Sequence, residues 1–380
     1  MSVASSFATT YAAARAKFHD AARGAGATVT RHAHPTARGA DGEELSIDLA
    51  MLGDAAAPGL LLLASGTHGV EGFCGSGCQV GLLSDRAFVA GLARSGVSLL
   101  MLHALNPYGF SHLRRVNEDN ADLNRNFVDF GAPLPSSPAY AEIHSLLLPE
   151  EWPPAAENEQ RLAAWVAAHG AAAYQAAISG GQYRFADGMF YGGAQPAWSN
   201  RVLRSVLREH AAGRKTLGWI DFHTGLGPRG HGEKIYAGAD VAADVARAKA
   251  WWGDDVTSYF DGTSTSAPLT GVNGYAAYDE CPHAELAAIA LEYGTCPLAE
   301  VLHALRAEHW LHNHPAAPQR QKDEIKRAIR DAFYIDRDDW KDEVYGQAVD
   351  ACRKATAWLA RPAAGRPTSQ TMASNEERVK

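Results

Sequence analysis

Two short runs, GLLLLAS at 59–65 and VSLLMLHAL at 97–105, are apolar almost without interruption. Side chains along a strand alternate between two faces. A strand that is apolar on both faces belongs in a sheet covered by helices on both sides. The runs are far shorter than the roughly 20 apolar residues a membrane-spanning helix needs. Further strand-like segments occur at 28–34, 45–52, 216–223, 234–238 and 287–294. Helix-like stretches occur at 73–94, 137–148, 157–179, 196–212, 240–252, 297–312, 321–333 and 339–360. In DEIKRAIRDAF the apolar residues recur every three or four positions, which marks one buried helix face. The expectation is an α/β chain with a mixed, mostly parallel central sheet flanked by helices on both faces. No Pro/Gly-rich linker interrupts it, so residues 1–360 read as one domain. The polar stretch 361–380 reads as a mobile tail.

A chain of 380 residues with 46% hydrophobic composition is long enough for a large core. A formal charge of −8 and the lack of any long basic stretch argue against nucleic acid or an anionic membrane as partner. The first twenty residues contain no continuous apolar segment of the kind a secretory signal has. They contain no acid before Asp20, as in transit peptides, but an amphipathic first helix is the reading adopted. Five cysteines, Cys74, Cys78, Cys281, Cys296 and Cys352, fit reduced thiols in a cytoplasm better than a disulfide framework. Cys74 and Cys78 are read as small packing residues rather than metal ligands.

In open α/β sheets, ligands gather beyond the carboxyl ends of the strands. The run at 59–65 leads into His68 and Glu71, which are surrounded by Gly66, Gly69 and Gly72. A histidine and a carboxylate three apart converge on one cation if the loop curls, and glycine makes curling easy. Catalytic zinc takes three protein ligands and keeps one open position. The third candidate is His223, at the end of TLGWIDFH. Asp221, two residues earlier on the same strand face, is placed to hold an imidazole in its ligating tautomer. Glu292 sits in the apolar segment AAIALEYG. A buried carboxylate needs a partner or takes up a proton. It is either salt-bridged to an arginine or a general base whose pKa burial has raised.

The segment HLRRVNEDNADLNRNF, 112–127, is too polar for core. Arg125 beside Asn124 offers a planar fork for a substrate carboxylate. Arg115 offers a donor for an oxyanion. The same arginines would equally serve as surface partners of Glu118, Asp119 and Asp122, and both readings stand at this point.

Together, GTHGVEG, DLNRNF, DFHTG and LEYGT, in that order across residues 66–295, resemble the zinc carboxypeptidase family. These are the carboxypeptidase A-like funnelin metallopeptidases, and the pattern lies nearest the bacterial branch close to aspartoacylase and succinylglutamate desuccinylase. The resemblance implies a zinc carboxypeptidase/phosphorylase-hydrolase-like fold and one Zn2+ per chain on His68, Glu71 and His223. It implies Glu292 as the base that activates water and Asn124 and Arg125 as binders of a substrate carboxylate. It also implies a carbonyl-polarising arginine, Arg115 or its neighbour Arg114, and a substrate-contacting tyrosine, Tyr275 or Tyr278. The implied activity is metallocarboxypeptidase-like cleavage of a small peptide or N-acyl amino acid with a free carboxylate. Alternatives are an amidohydrolase, deacylase or esterase acting on small N-acyl amino acids, and a non-catalytic carboxylate-binding metal protein. The middle segment, about 130–215, has no counterpart in that pattern and reads as an elaboration that shapes the pocket.

Three other signals point elsewhere. GLGPRG at 225–230 fits a dinucleotide pattern, but a loop and strand follow it rather than the helix a pyrophosphate needs. CPHAE at 281–285 lacks the P-C-x-x-C of zinc deaminases. No G-x-S-x-G elbow occurs. His103 reads as a core histidine.

Overall fold

The four leucines of the 59–65 run enter two different cores. Leu61 and Leu63 pack in one, Leu60 and Leu62 in another, and all four have no exposed surface. This follows from the strand's two-residue period. Truncating any one of them to alanine would cost about 2–5 kcal/mol.

A computed structural model describes residues 2–361. Among the described residues, eight strands form one mixed sheet. They are β1 (Thr28–Arg38), β2 (Glu44–Leu52), β3 (Gly59–Ala64), β4 (Ser98–His103), β5 (Thr216–Arg229), β6 (Gly232–Tyr236), β7 (Val256–Thr257) and β8 (Glu285–Gly294). Their spatial order is β1-β2-β4-β3-β5-β8-β6-β7. The central strands β4, β3, β5 and β8 are parallel to one another. The β1–β2, β2–β4 and β6–β8 pairs are antiparallel. One face is covered by helices that include Tyr11–Gly24, Gly72–Ser84 and Asp338–Leu359, through Phe18, Phe73, Trp340 and Val344. The other face is covered by helix Trp198–His210, through Leu203, Val206 and Leu207.

Two helices expected to be continuous are each divided. The 73–94 stretch breaks at Asp85, whose carboxylate accepts from Ala87 and Phe88 N–H and so caps a second helix, Arg86–Ser95. The 157–179 stretch breaks at Gly170, whose φ of +90° no other residue adopts readily. The short strand β7 has no signal in the sequence. Apart from Arg361 itself, the expected tail lies outside the described residues. Among the described residues no helix is long and apolar enough to cross a membrane.

The middle segment builds a third core. Tyr140, Ile143, Ile178 and Phe190 pack there against Val301, Leu305 and Phe333 of the helices Leu298–Asn313 and Gln319–Phe333. It therefore belongs to the body of the protein.

Candidate metal centre

Parallel β3 ends at Ala64, level with Asp221 of β5 and Ala290 of β8, while β5 runs on to Arg229 and β8 to Gly294, so His223 and Glu292 lie within their strands just beyond the end of β3. The chain leaves β3 through Gly66, whose φ is +63°. At Gly69 a side-chain carbon would lie 2.0 Å from the Gly109 carbonyl carbon, so only glycine fits. This close approach lets Gly69 N–H and Val70 N–H donate to the carbonyls of Arg115 and Arg114. The arginine loop is thereby tied to the turn that carries His68 and Glu71. Register along β5 and β8 sets His223 directly beside Glu292 and Asp221 beside Ala290.

His68, Glu71 and His223 converge, and all three are buried. His68 Nδ1 lies 2.9 Å from Glu71 Oε1, His223 Nδ1 lies 3.0 Å from Glu71 Oε2, and the two Nδ1 atoms are 3.2 Å apart. Nitrogen and oxygen ligands about 2.0–2.1 Å from a tetrahedral zinc stand roughly 3.3 Å from one another. The three side chains thus present a donor set of the right kind and spacing. Each imidazole turns its other nitrogen to a carboxylate. His223 Nε2 is 2.9 Å from Asp221 Oδ2, and His68 Nε2 is 3.2 Å from Asp122 Oδ1. Such outer partners fix the tautomer of a ligating histidine. Asp221 is itself held by Thr67 Oγ1 at 2.9 Å and Asn273 Nδ2 at 2.7 Å.

Burial favours the neutral form of every acid here, yet the neighbours divide them. For Glu71, burial is overcome by the charge of His68 and the hydrogen bond from His223, and the carboxyl is held well below its usual range. For Asp122, burial is overcome by the charges of Arg115 and His68, with the same result. For Asp221, His223 has that effect. Glu292 differs. Burial and the charge of Glu71 push it up to about 8, against smaller opposing effects of His223 and the Leu226 N–H. That N–H donates to Glu292 Oε1 at 3.0 Å.

Arg115 reaches this cluster. It donates from Nη1 to Glu71 Oε1 at 3.1 Å and from Nε to Asp122 Oδ2 at 2.9 Å, and its Nη2 lies 2.8 Å from His68 Nε2. Arg114 points away, to Glu308 Oε1 at 2.8 Å and Asn120 Oδ1 at 2.9 Å. Arg125 is 2% exposed, and burial lowers its pKa. It donates through Nε and Nη2 to the Ser179 carbonyl and through Nη1 to the Asn124 carbonyl. The Asn124 side-chain oxygen accepts from Asn273 N–H at 3.0 Å.

One cavity joins His68, Glu71, His223, Glu292, Arg115, Asn124 and Arg125. Tyr275 and Tyr278 do not line it. They line a separate surface groove with Phe127 and Phe130. The tyrosines that line the central cavity are Tyr236 and Tyr259, and Tyr275 stands near the buried hydroxyl of Tyr259. Several contributors carry little or no signal in the sequence. Asp122 read only as a surface partner of the arginines. Phe190 lies under Arg115 and Arg125, with 4.7 and 5.6 Å from ring centre to guanidinium carbon, and holds a φ of +51°. For a bulky residue that backbone conformation is strained. Ser179 acts through its backbone carbonyl, which no sequence pattern reveals.

The sequence model of one family, described as a protein of unknown function (DUF2817), matches residues 7–347. The chain belongs to the DUF2817 family. No curated protein matches it. This DUF2817 chain is similar in structure to bovine thrombin-activatable fibrinolysis inhibitor, solved with tick carboxypeptidase inhibitor. The TM-score is 0.49 and the identity 12%, over 92% of this chain and 97% of that one. It is also similar to carboxypeptidase A from Helicoverpa armigera (TM-score 0.44, 13% identity, 85% and 73% coverage). A third is a metallo-carboxypeptidase from Burkholderia cenocepacia (0.40, 14%, 84% and 66%).

Proposed function

We propose that this DUF2817 protein is a zinc-dependent hydrolase that cleaves a peptide or amide bond next to a free carboxylate. The observation that carries the reading is the inward-facing trio of His68 Nδ1, His223 Nδ1 and the Glu71 carboxylate, with Glu292 on the adjoining strand. Zinc held by that trio would supply Lewis acidity to a carbonyl oxygen and to water.

The chain's own residues supply the rest. Glu292, beside His223 on the adjoining strand, would take a proton from water and hand it to the departing nitrogen. Its Oε1 accepts the Leu226 N–H, which leaves Oε2 to carry that proton. The C–N bond breaks, hydroxide oxygen ends on the acyl carbon, and the amine leaves protonated. Arg115, fixed against Glu71 and Asp122, adds positive charge where the carbonyl oxygen becomes negative. Arg125 has five N–H bonds. Three meet backbone carbonyls and two remain for a carboxylate. Asn124 uses its oxygen on Asn273, which leaves its amide NH2 for the same ligand.

The test is metal content by mass spectrometry together with hydrolysis before and after chelation. About one zinc per chain, with activity lost on chelation and regained on adding zinc, supports the reading. A protein that binds no metal and hydrolyses nothing when zinc is added would falsify it.

A further inference from the structure

Resting on that reading, we infer that the acyl side of the cleaved bond is a short apolar group. The substrate is then an N-acyl amino acid rather than the end of a polypeptide. Three observations carry this.

The cavity has two apolar walls. Ile235, Ala237, Val272 and Ala290 form one. It adjoins Asn124, since Val272 precedes the Asn273 N–H that binds Asn124, and it therefore receives the side chain next to the carboxylate held by Arg125. The other wall is Leu226, Val301, Leu302, Leu305 and Phe333. It adjoins the hydrolytic end. Leu226 N–H binds Glu292, and Thr224, whose N–H binds Glu71, donates its hydroxyl to the Phe333 carbonyl. The acyl group faces this second wall, whose five side chains are uncharged; Arg115, which stacks on Phe190 of the same core, is already paired with Glu71 and Asp122.

That wall is also closed. Val301, Leu302 and Leu305 are 3%, 8% and 2% exposed, and their helix packs behind on Ile143 and Ile329. A polypeptide leaving in that direction would displace a core helix, whereas a short acyl chain ends there.

The remaining side is covered from two directions. Gln175, on helix Ala171–Ser179, donates to the Thr265 carbonyl at 3.0 Å and joins that helix to the segment bearing Tyr259 and Leu269. Glu233 fixes the same segment by accepting from the Thr257 hydroxyl and from Thr265 N–H. The cavity volume is about 100 Å³, below the roughly 300–1,000 Å³ of drug-sized ligand sites.

The experiment compares kcat/KM of the zinc-bound full chain for N-butyryl-leucine, N-succinyl-leucine and a ten-residue peptide ending in leucine. The butyryl compound is expected to exceed both others by about 100-fold or more, a difference of about 2.8 kcal/mol. Leu302→Arg is expected to lower the butyryl-to-succinyl ratio at least tenfold. Leu302→Ala, a milder change should the first not fold, is expected to shift preference towards longer acyl chains. Peptide cleavage equal to or faster than butyryl cleavage overturns the inference and leaves the hydrolase reading standing, as does an unchanged acyl preference in a folded variant. No cleavage of any of the three by zinc-bound protein refutes the hydrolase reading itself.

Discussion

The guanidinium of Arg125 is held by the backbone carbonyl of Ser179, with Nε to oxygen at 2.9 Å. Ser179 ends a helix in the middle segment, so the residue best placed to grip a carboxylate is oriented by the part of the chain that carries no recognisable motif. Lysine in place of Arg125 cannot hold Ser179 and a ligand together. Losing charge-assisted hydrogen bonds costs about 1.5–3 kcal/mol. Arg125→Lys is therefore expected to raise KM roughly 10- to 100-fold with a smaller change in kcat. Steady-state kinetics checks this, and a fall in kcat at constant KM would contradict it.

Glu292→Gln removes the proton acceptor and keeps the shape. Turnover is expected to fall by about 10²- to 10⁴-fold while zinc content stays that of the unaltered protein. Near-normal turnover in the glutamine variant would exclude Glu292 as the base.

Asp221 touches His223 Nε2 and is held by Thr67 and Asn273. Asp221→Asn is expected to weaken zinc affinity about 10- to 100-fold. Competition with a chelator of known affinity measures it. Zinc at 100 times its Kd should also stabilise the fold by about 2.7 kcal/mol, visible as a higher melting temperature.

Away from the centre, Glu308 is buried between Arg114 and Lys326, each 2.8 Å from its Oε1. Burial alone would raise its pKa, but the charges of Arg114 and Lys326 hold it well below the usual range. A carboxyl depressed in the folded state contributes stability above its unfolded pKa, about 4.3, and loses it as pH falls through the lower folded value. Glu308→Gln should cost about 3–5 kcal/mol near neutrality, because it leaves a buried cation unpaired. The difference from the unaltered protein should shrink below about pH 4. Urea titrations across that range test it. A pH-independent difference would assign the loss to packing.

Phe190 supports both site arginines through its ring face. Such contacts are worth about 0.5–2 kcal/mol each. Phe190→Leu should raise KM several-fold with zinc content intact. An unaltered KM would show that the arginines need no aromatic floor.

The sheet was legible because its strands are apolar on both faces, as Leu60–Leu63 show, and a sheet covered by helices on both sides buries them all. The grouping of His68, Glu71, His223 and Glu292 was legible because polar residues that interrupt or directly follow apolar strands gather towards the carboxyl end of such a sheet. What escaped was whatever depends on position rather than residue type. Ser179 contributes a carbonyl, which every residue has. Phe190 matters through a strained backbone angle and a place between two side chains distant in sequence. Tyr259 and Tyr236 line the cavity, while Tyr275 and Tyr278 line the groove and stand behind them, Tyr278 Oη 3.3 Å from Tyr236 Oη. The breaks at Asp85 and Gly170 were missed because apolar periodicity runs through both.

The side-by-side placement of His223 and Glu292 is a property of strand alignment. Moving β8 by one residue would replace Glu292 with Leu291 or Tyr293 and turn its apolar residues to the wrong sides of the sheet. The distance between His223 and Glu292 is therefore guarded by the whole hydrophobic interior. Drift in loops leaves it untouched, whereas a single inserted residue in β8 before Glu292 would disarm the centre and unsettle the core together.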